Sequence, residues 1–77
     1  MNKQRRKDIA KLIDQISDLK DSLDTLRDEE QDYFDNMPES FQAGERGEAA
    51  EEAVGYLEEA IDMLEQAAEA ATTAAEG

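Results

Sequence analysis

The sequence predicts an all-α fold: an antiparallel two-helix hairpin of coiled-coil character that dimerises into a four-helix bundle. Three observations carry this expectation. Apolar residues recur at alternating steps of three and four through two long segments, as in helices that bury one stripe against a partner. Between them, residues 36–47 hold the one proline, Pro38, followed by Gly44 and Gly47, residue types that stop and restart helices. Finally, 77 residues without a cysteine form one small domain, 1–77, near the lower limit for a self-sufficient core, so a second copy is expected to complete it.

The first helix is expected over about residues 3–35. Ile9, Ile16 and Leu23 fall at a positions and Leu12, Leu19, Leu26 and Tyr33 at d, with Glu30 the one polar member of the row before Met37. No glycine or proline interrupts the segment. β-branched residues at a with leucine at d also suit a parallel pair, so a parallel coiled coil stays open beside the hairpin. Ile13, at an e position, is expected to help cover a second surface. Glu30 is expected to pair with a neighbour such as Arg27 or to lie near the loop.

The corner is expected at 36–47. Proline disfavours helix at Met37 before it but suits the first turn of a new one, so Pro38 to Ala43 reads as a short helical turn. Gly44 and Gly47 bracket the next break as residues that tolerate the left-handed conformation. Phe34, Met37 and Phe41 are expected to fold over the end as an apolar plug.

The second helix is expected over about 48–76. Ala50, Leu57, Leu64 and Ala71 make one row, and Ala53, Ala60, Ala67 and Ala74 a second. Val54, Ile61, Ala68 and Ala75 widen the face, with Tyr56 and Met63 at its other edge. That is broader than a two-helix contact needs and points to a further partner surface. Folding the chain at about residue 42 sets Leu26 against Leu57, Leu23 against Ile61, Leu19 against Leu64 and Ile16 against Ala68. Ile9 and Leu12 then meet Ala75 and Ala71. The expected association residues are therefore Ile9, Leu12, Ile13, Ile16, Leu19, Leu23, Leu26, Leu57, Ile61 and Leu64.

Charge is the other strong signal. The net charge is −13, and it is unevenly placed. The first eleven residues carry Lys3, Arg5, Arg6, Lys7 and Lys11 against Asp8, while the rest carries twenty acids against Lys20, Arg27 and Arg46. From Asp28 to Glu52 there are ten acidic side chains and one base. Such a field repels nucleic acid and anionic membrane and favours basic protein surfaces. The basic arm, short and without aromatics, is expected to pair with the acidic tip or outer face of another copy, or with Glu69 and Glu76 across the open end. No apolar run approaches a membrane span or a signal sequence, so a soluble cytoplasmic protein is expected.

Catalysis is not expected. The chain has no histidine and no cysteine, which removes imidazole bases, thiolate nucleophiles and most zinc ligand sets. Its carboxylates lack the alternating spacing and glycine turn of a calcium loop. No cofactor and no metal is expected. The candidate site is the acidic tip: Asp28, Asp32, Asp35, Glu45, Glu48, Glu51 and Glu52, with Tyr33, Phe34 and Phe41 as anchors for a partner. Carboxylates repeating every three or four residues lie about 4.5–6 Å apart along a helix, comparable to phosphate spacing on a nucleic-acid strand. Such a rod fits a groove built for nucleic acid. The competing expectation is a self-assembling structural module whose acidic face only keeps it soluble.

The stretch DEEQDYFDNMPESFQAGERGEAAEEA, Asp28 to Ala53, resembles a group of small acidic helical proteins of bacteriophages and mobile elements. These join two amphipathic helices through a similar Y-[FY]-D-N-M-P-E segment. The resemblance covers about a third of the chain and implies an origin more than a mechanism. By analogy with small acidic phage proteins, it implies an inhibitor or adaptor of a host nuclease or nucleic-acid-binding protein, acting in the host cytoplasm.

Overall fold

Two long helices lie side by side, joined by a single short turn of helix. The computed structural model describes all 77 residues: α1 spans Lys3–Asp35, α2 Glu39–Gln42 and α3 Glu45–Glu76. The result is a rod measuring 58 × 15 × 11 Å. There are no strands, and α1 and α3 pack along their length as an antiparallel hairpin.

Each boundary has a local cause. α1 starts at Asn2, whose side-chain oxygen accepts from the Arg5 amide at 2.8 Å; this satisfies one of the donors a helix start leaves free. It ends at Asn36, which donates to the Asp32 carbonyl through both its backbone N–H and its side-chain amide, at 3.0 and 2.8 Å. Pro38, lacking an N–H, is the N-cap of α2, and the helical turn is shorter by one residue at each end than the expected Pro38 to Ala43. The Gln42 side chain then reaches back from α2 and donates to the Phe34 carbonyl at 3.0 Å. The corner thus satisfies the backbone it interrupts.

The glycines act differently from expectation. No residue has a positive φ, so neither Gly44 nor Gly47 turns the chain through the left-handed region. α3 begins at Glu45, earlier than the expected 48, and contains Gly47 in its first turn. Gly47 is buried, and a Cβ there would lie 2.0–2.5 Å from the carbonyl oxygen, carbonyl carbon and Cα of Gln42. Its missing side chain lets the end of α2 press directly onto α3. The requirement is steric.

The seam follows a different row of α1 than the a and d positions. Half-buried residues run Ile9, Ile13, Ile16, Lys20, Leu23, Arg27, Glu30, Phe34, Met37, which is the a row together with the e row. The expected d row faces outward: Leu12 and Leu19 are 55% exposed, and Leu26 and Tyr33 52%. Two helices in contact cover only two adjacent rows on each, and α1 offers three, so one is left out. The rows that pack place Lys20 and Arg27 across from Glu65 and Glu58, at 2.9 and 3.2 Å. The opposite choice would forgo both ion pairs. On α3 the matching row is Ala50, Val54, Leu57, Ile61, Leu64, Ala68, Ala71 and Ala75, all buried or half-buried.

The register agrees with a fold near residue 42. One heptad back on α1, from Arg27 to Lys20, goes with one heptad forward on α3, from Glu58 to Glu65, and both pairs are centred between residues 42 and 43. Arg27 is the hub of this seam. It also contacts Asp28 at 3.0 Å and Asp24 at 3.5 Å; of the two expectations for Glu30 the pairing with Arg27 does not form, and the residue lies half-buried in the seam. The hydrogen bond to Glu58, foremost, and the charges of Asp28 and Asp24 raise the guanidinium further above its already high ordinary pKa, against partial desolvation. Arg27→Gln therefore removes three ion pairs while keeping much of the packed stem. Because these pairs are solvent-accessible, a thermal melt is expected to show only a small drop in Tm. A collapse of the fold would mean that the seam depends on charge more than on its apolar rows.

Candidate functional site

The structure gives the hairpin two unlike long edges. One is marked by the bridges of Lys20 and Arg27 to Glu65 and Glu58. Helix periodicity then sets the other edge. On α1 the row Leu12, Leu19, Leu26, Tyr33 lies beside the a row, away from Lys20 and Arg27. On α3 the row Ala53, Ala60, Ala67, Ala74 lies away from Glu58 and Glu65. These two rows flank the seam on the same side, and the half-burial of Ala53 and Ala60 agrees. Tyr56 and Met63, 64% and 58% exposed, extend that edge on α3.

The carboxylates gather elsewhere. All seven predicted tip acids, Asp28, Asp32, Asp35, Glu45, Glu48, Glu51 and Glu52, are exposed. The hairpin brings the last turns of α1 and the first turns of α3 to one end, so residues distant in sequence share a field. Two macrodipoles meet there with opposite effect. Asp32 and Asp35 stand in the last turn of α1, where a helix disfavours negative charge, and Glu45 and Glu48 in the first turn of α3, where it is favoured. No group of three or more carboxylates converges closely enough to hold a metal ion. The arrangement is a spread field, suited to an extended basic surface.

The predicted anchors divide. Tyr33 and Phe41 line one cleft of about 460 Å³ at the corner, together with Asn36, Met37, Pro38 and Arg46. Phe34 instead sits half-buried in the seam, its carbonyl capped by Gln42. Phe41 is 51% exposed, so the expected plug is only partly closed. Sequence reasoning missed Arg46, the one base of the tip, whose guanidinium stands 5.8 Å from the centroid of the Phe41 ring. Its position five residues after Phe41, across a short break, was the available signal.

The far end carries the opposite sign. Lys3, Arg5, Arg6, Lys7 and Lys11 are exposed, and the four ion pairs of the chain involve only Lys20 and Arg27. The expected pairing of the arm with Glu69 and Glu76 across the open end does not form. No helix is long and apolar enough to cross a membrane. No protein-family model, curated protein or solved structure matches the chain.

Proposed function

We propose that this chain is a non-enzymatic acidic docking protein. In this reading it is an inhibitor or adaptor of phage type that works as a homodimer in the host cytoplasm and occupies a basic, nucleic-acid-binding surface of a host protein. The observation that carries the reading is the tip, where seven exposed carboxylates from two helices share one end of a stiff rod. Concentrating like charge there opposes folding, so binding to a basic partner accounts for it better than stability does. Tyr33 and Phe41, half-exposed beside the field, supply the apolar contact that turns attraction into a defined pose.

The test is capture from a bacterial lysate in low and high salt, with duplex DNA as competitor. The expected result is one nuclease or DNA-binding complex retained at low salt, released by salt and displaced by DNA. Retention that DNA does not affect would overturn the nucleic-acid-like part of the reading. A second reading, a structural module whose assembly is itself the function, is favoured by the outward leucine row. Under it Leu19→Asp abolishes function and tip substitutions leave it unchanged.

A further inference from the structure

We infer that a second copy of this chain covers the apolar edge of the hairpin, lying antiparallel to the first about a two-fold axis near the middle of the rod. This rests on the reading that the protein works as a dimer, and names the face and the direction.

Surface area argues for an occupant. The single hairpin exposes 5738 Å², whereas a folded monomer of 8.6 kDa is expected to expose about 4,700 Å². The excess of about 1,000 Å² exceeds the roughly 800 Å² that each partner contributes to a standard interface. The interior explains the excess: only Gly47, Ala50 and Val54 are buried.

The shape of the edge argues for self-pairing. Leu12, Leu19, Leu26 and Tyr33 form a ridge with a seven-residue repeat, about 10.5 Å, beside a trough of alanines that includes Ala60 and Ala67. A two-fold axis perpendicular to the rod sets the leucine ridge of each copy against that of the other and the alanine rows against each other, an isologous contact. With the axis at the middle of the ridge, Leu19 lies near the partner's Leu26 and Leu12 near the partner's Tyr33.

Charge selects the direction. Five cations at the open end have no ion pair within the chain, and the corner end carries ten acids between Asp28 and Glu52. Antiparallel copies place the cations of each beside the acids of the other. Parallel copies would stack acid on acid and base on base, which costs several kcal/mol in specificity terms.

The experiment uses the full chain. Light scattering is expected to give twice the chain mass of 8.6 kDa; a monomer or a larger assembly overturns the proposal. The chain has no cysteine, so Ala10→Cys introduces one spin-label site per copy, on the edge away from the leucine row. Electron–electron distance measurement is expected to give about 40 Å for antiparallel copies, from 1.5 Å per residue on either side of the axis. A separation under about 20 Å, two helix diameters, would mean parallel copies and would overturn the direction. Leu19→Asp is expected to raise the concentration of half-dissociation at least tenfold, about 1.4 kcal/mol. Ser17→Asp, with the same charge on the other edge, is expected to leave it within about threefold. Loss of helicity in Leu19→Asp alone would support the face too, because that side chain is exposed in the single hairpin. Equal effects of the two variants would overturn it. A monomer that still captures its basic partner sinks this inference, with the homodimer it rests on, and leaves the docking reading standing; a dimer that captures nothing sinks the docking reading only.

Discussion

Gly47→Ala is expected to lower stability by about 3 kcal/mol, the upper part of the range for overpacking a closed site. At one protein concentration that is a fall in Tm of roughly 15 °C for a domain of this size. The added methyl would meet the backbone of Gln42, not a flexible side chain, so relief requires moving α2 away from α3. Moving α2 would also pull the Gln42 amide from the Phe34 carbonyl and uncap α1. The control is Gly55→Ala. Gly55 is exposed within α3 with nothing within 4 Å of an added Cβ, and the change is expected to add up to about 1 kcal/mol through helix propensity. Circular dichroism melts of the two variants should therefore move in opposite directions. Parallel shifts would refute the steric account of the corner.

Reversal of three tip acids, Asp32→Lys, Asp35→Lys and Glu52→Lys together, is expected to separate binding from folding. Each side chain is exposed and none takes part in an ion pair. Capture of the basic partner should fall at least about tenfold, because the substitutions remove the attracting charge and add repulsion. Helicity of the single hairpin should stay intact, although lysines at the corner would oppose the cations of an antiparallel second copy. Lysines in the last turn of α1 agree with its macrodipole, and the like charge crowded at the corner is reduced. Retained helicity while capture disappears supports the docking role of the tip. Unchanged capture refutes it. Raising salt with the unaltered chain should reproduce the loss of capture in weaker form, since screening weakens the attraction.

The hairpin, its register and the end of α1 were legible because they depend on periodicity and on residues with few conformational options. Pro38 has one φ and no amide, and the alternating apolar steps in each helix allow few registers. The choice of seam was not legible. Leu12, Leu19 and Leu26 are the more apolar row, and reading hydrophobicity alone puts them inside in place of Lys20 and Arg27. The structure packs the long aliphatic stems of the two cations, their charged ends meeting Glu65 and Glu58, and leaves the leucines out. Gly47 was misread for a similar reason. Sequence shows that a glycine sits at a break but not whether its backbone conformation or its lack of volume is needed. The gathering of exposed acids at one end was legible by counting, and the splitting of Phe34 from Tyr33 and Phe41 needed the three-dimensional turn of the helix.

The three buried residues, Gly47, Ala50 and Val54, all lie within the first turns of α3. Beyond them the seam runs through half-buried Leu57, Ile61 and Leu64 and then thins to alanines at Ala68, Ala71 and Ala75. The two strands of this rod are therefore joined like a zip whose slider sits at the corner. Contacts there are close in sequence, so they close early and at low entropic cost, and pairing then propagates toward the termini. Opening should run the other way. Amide hydrogens of Val54 and Leu57 are expected to exchange slowest and those near Ile9 and Ala75 fastest, in a smooth gradient along 58 Å of length. In the single hairpin the end that frays first is the one carrying the cations, so contact with a second copy is what would order the basic arm.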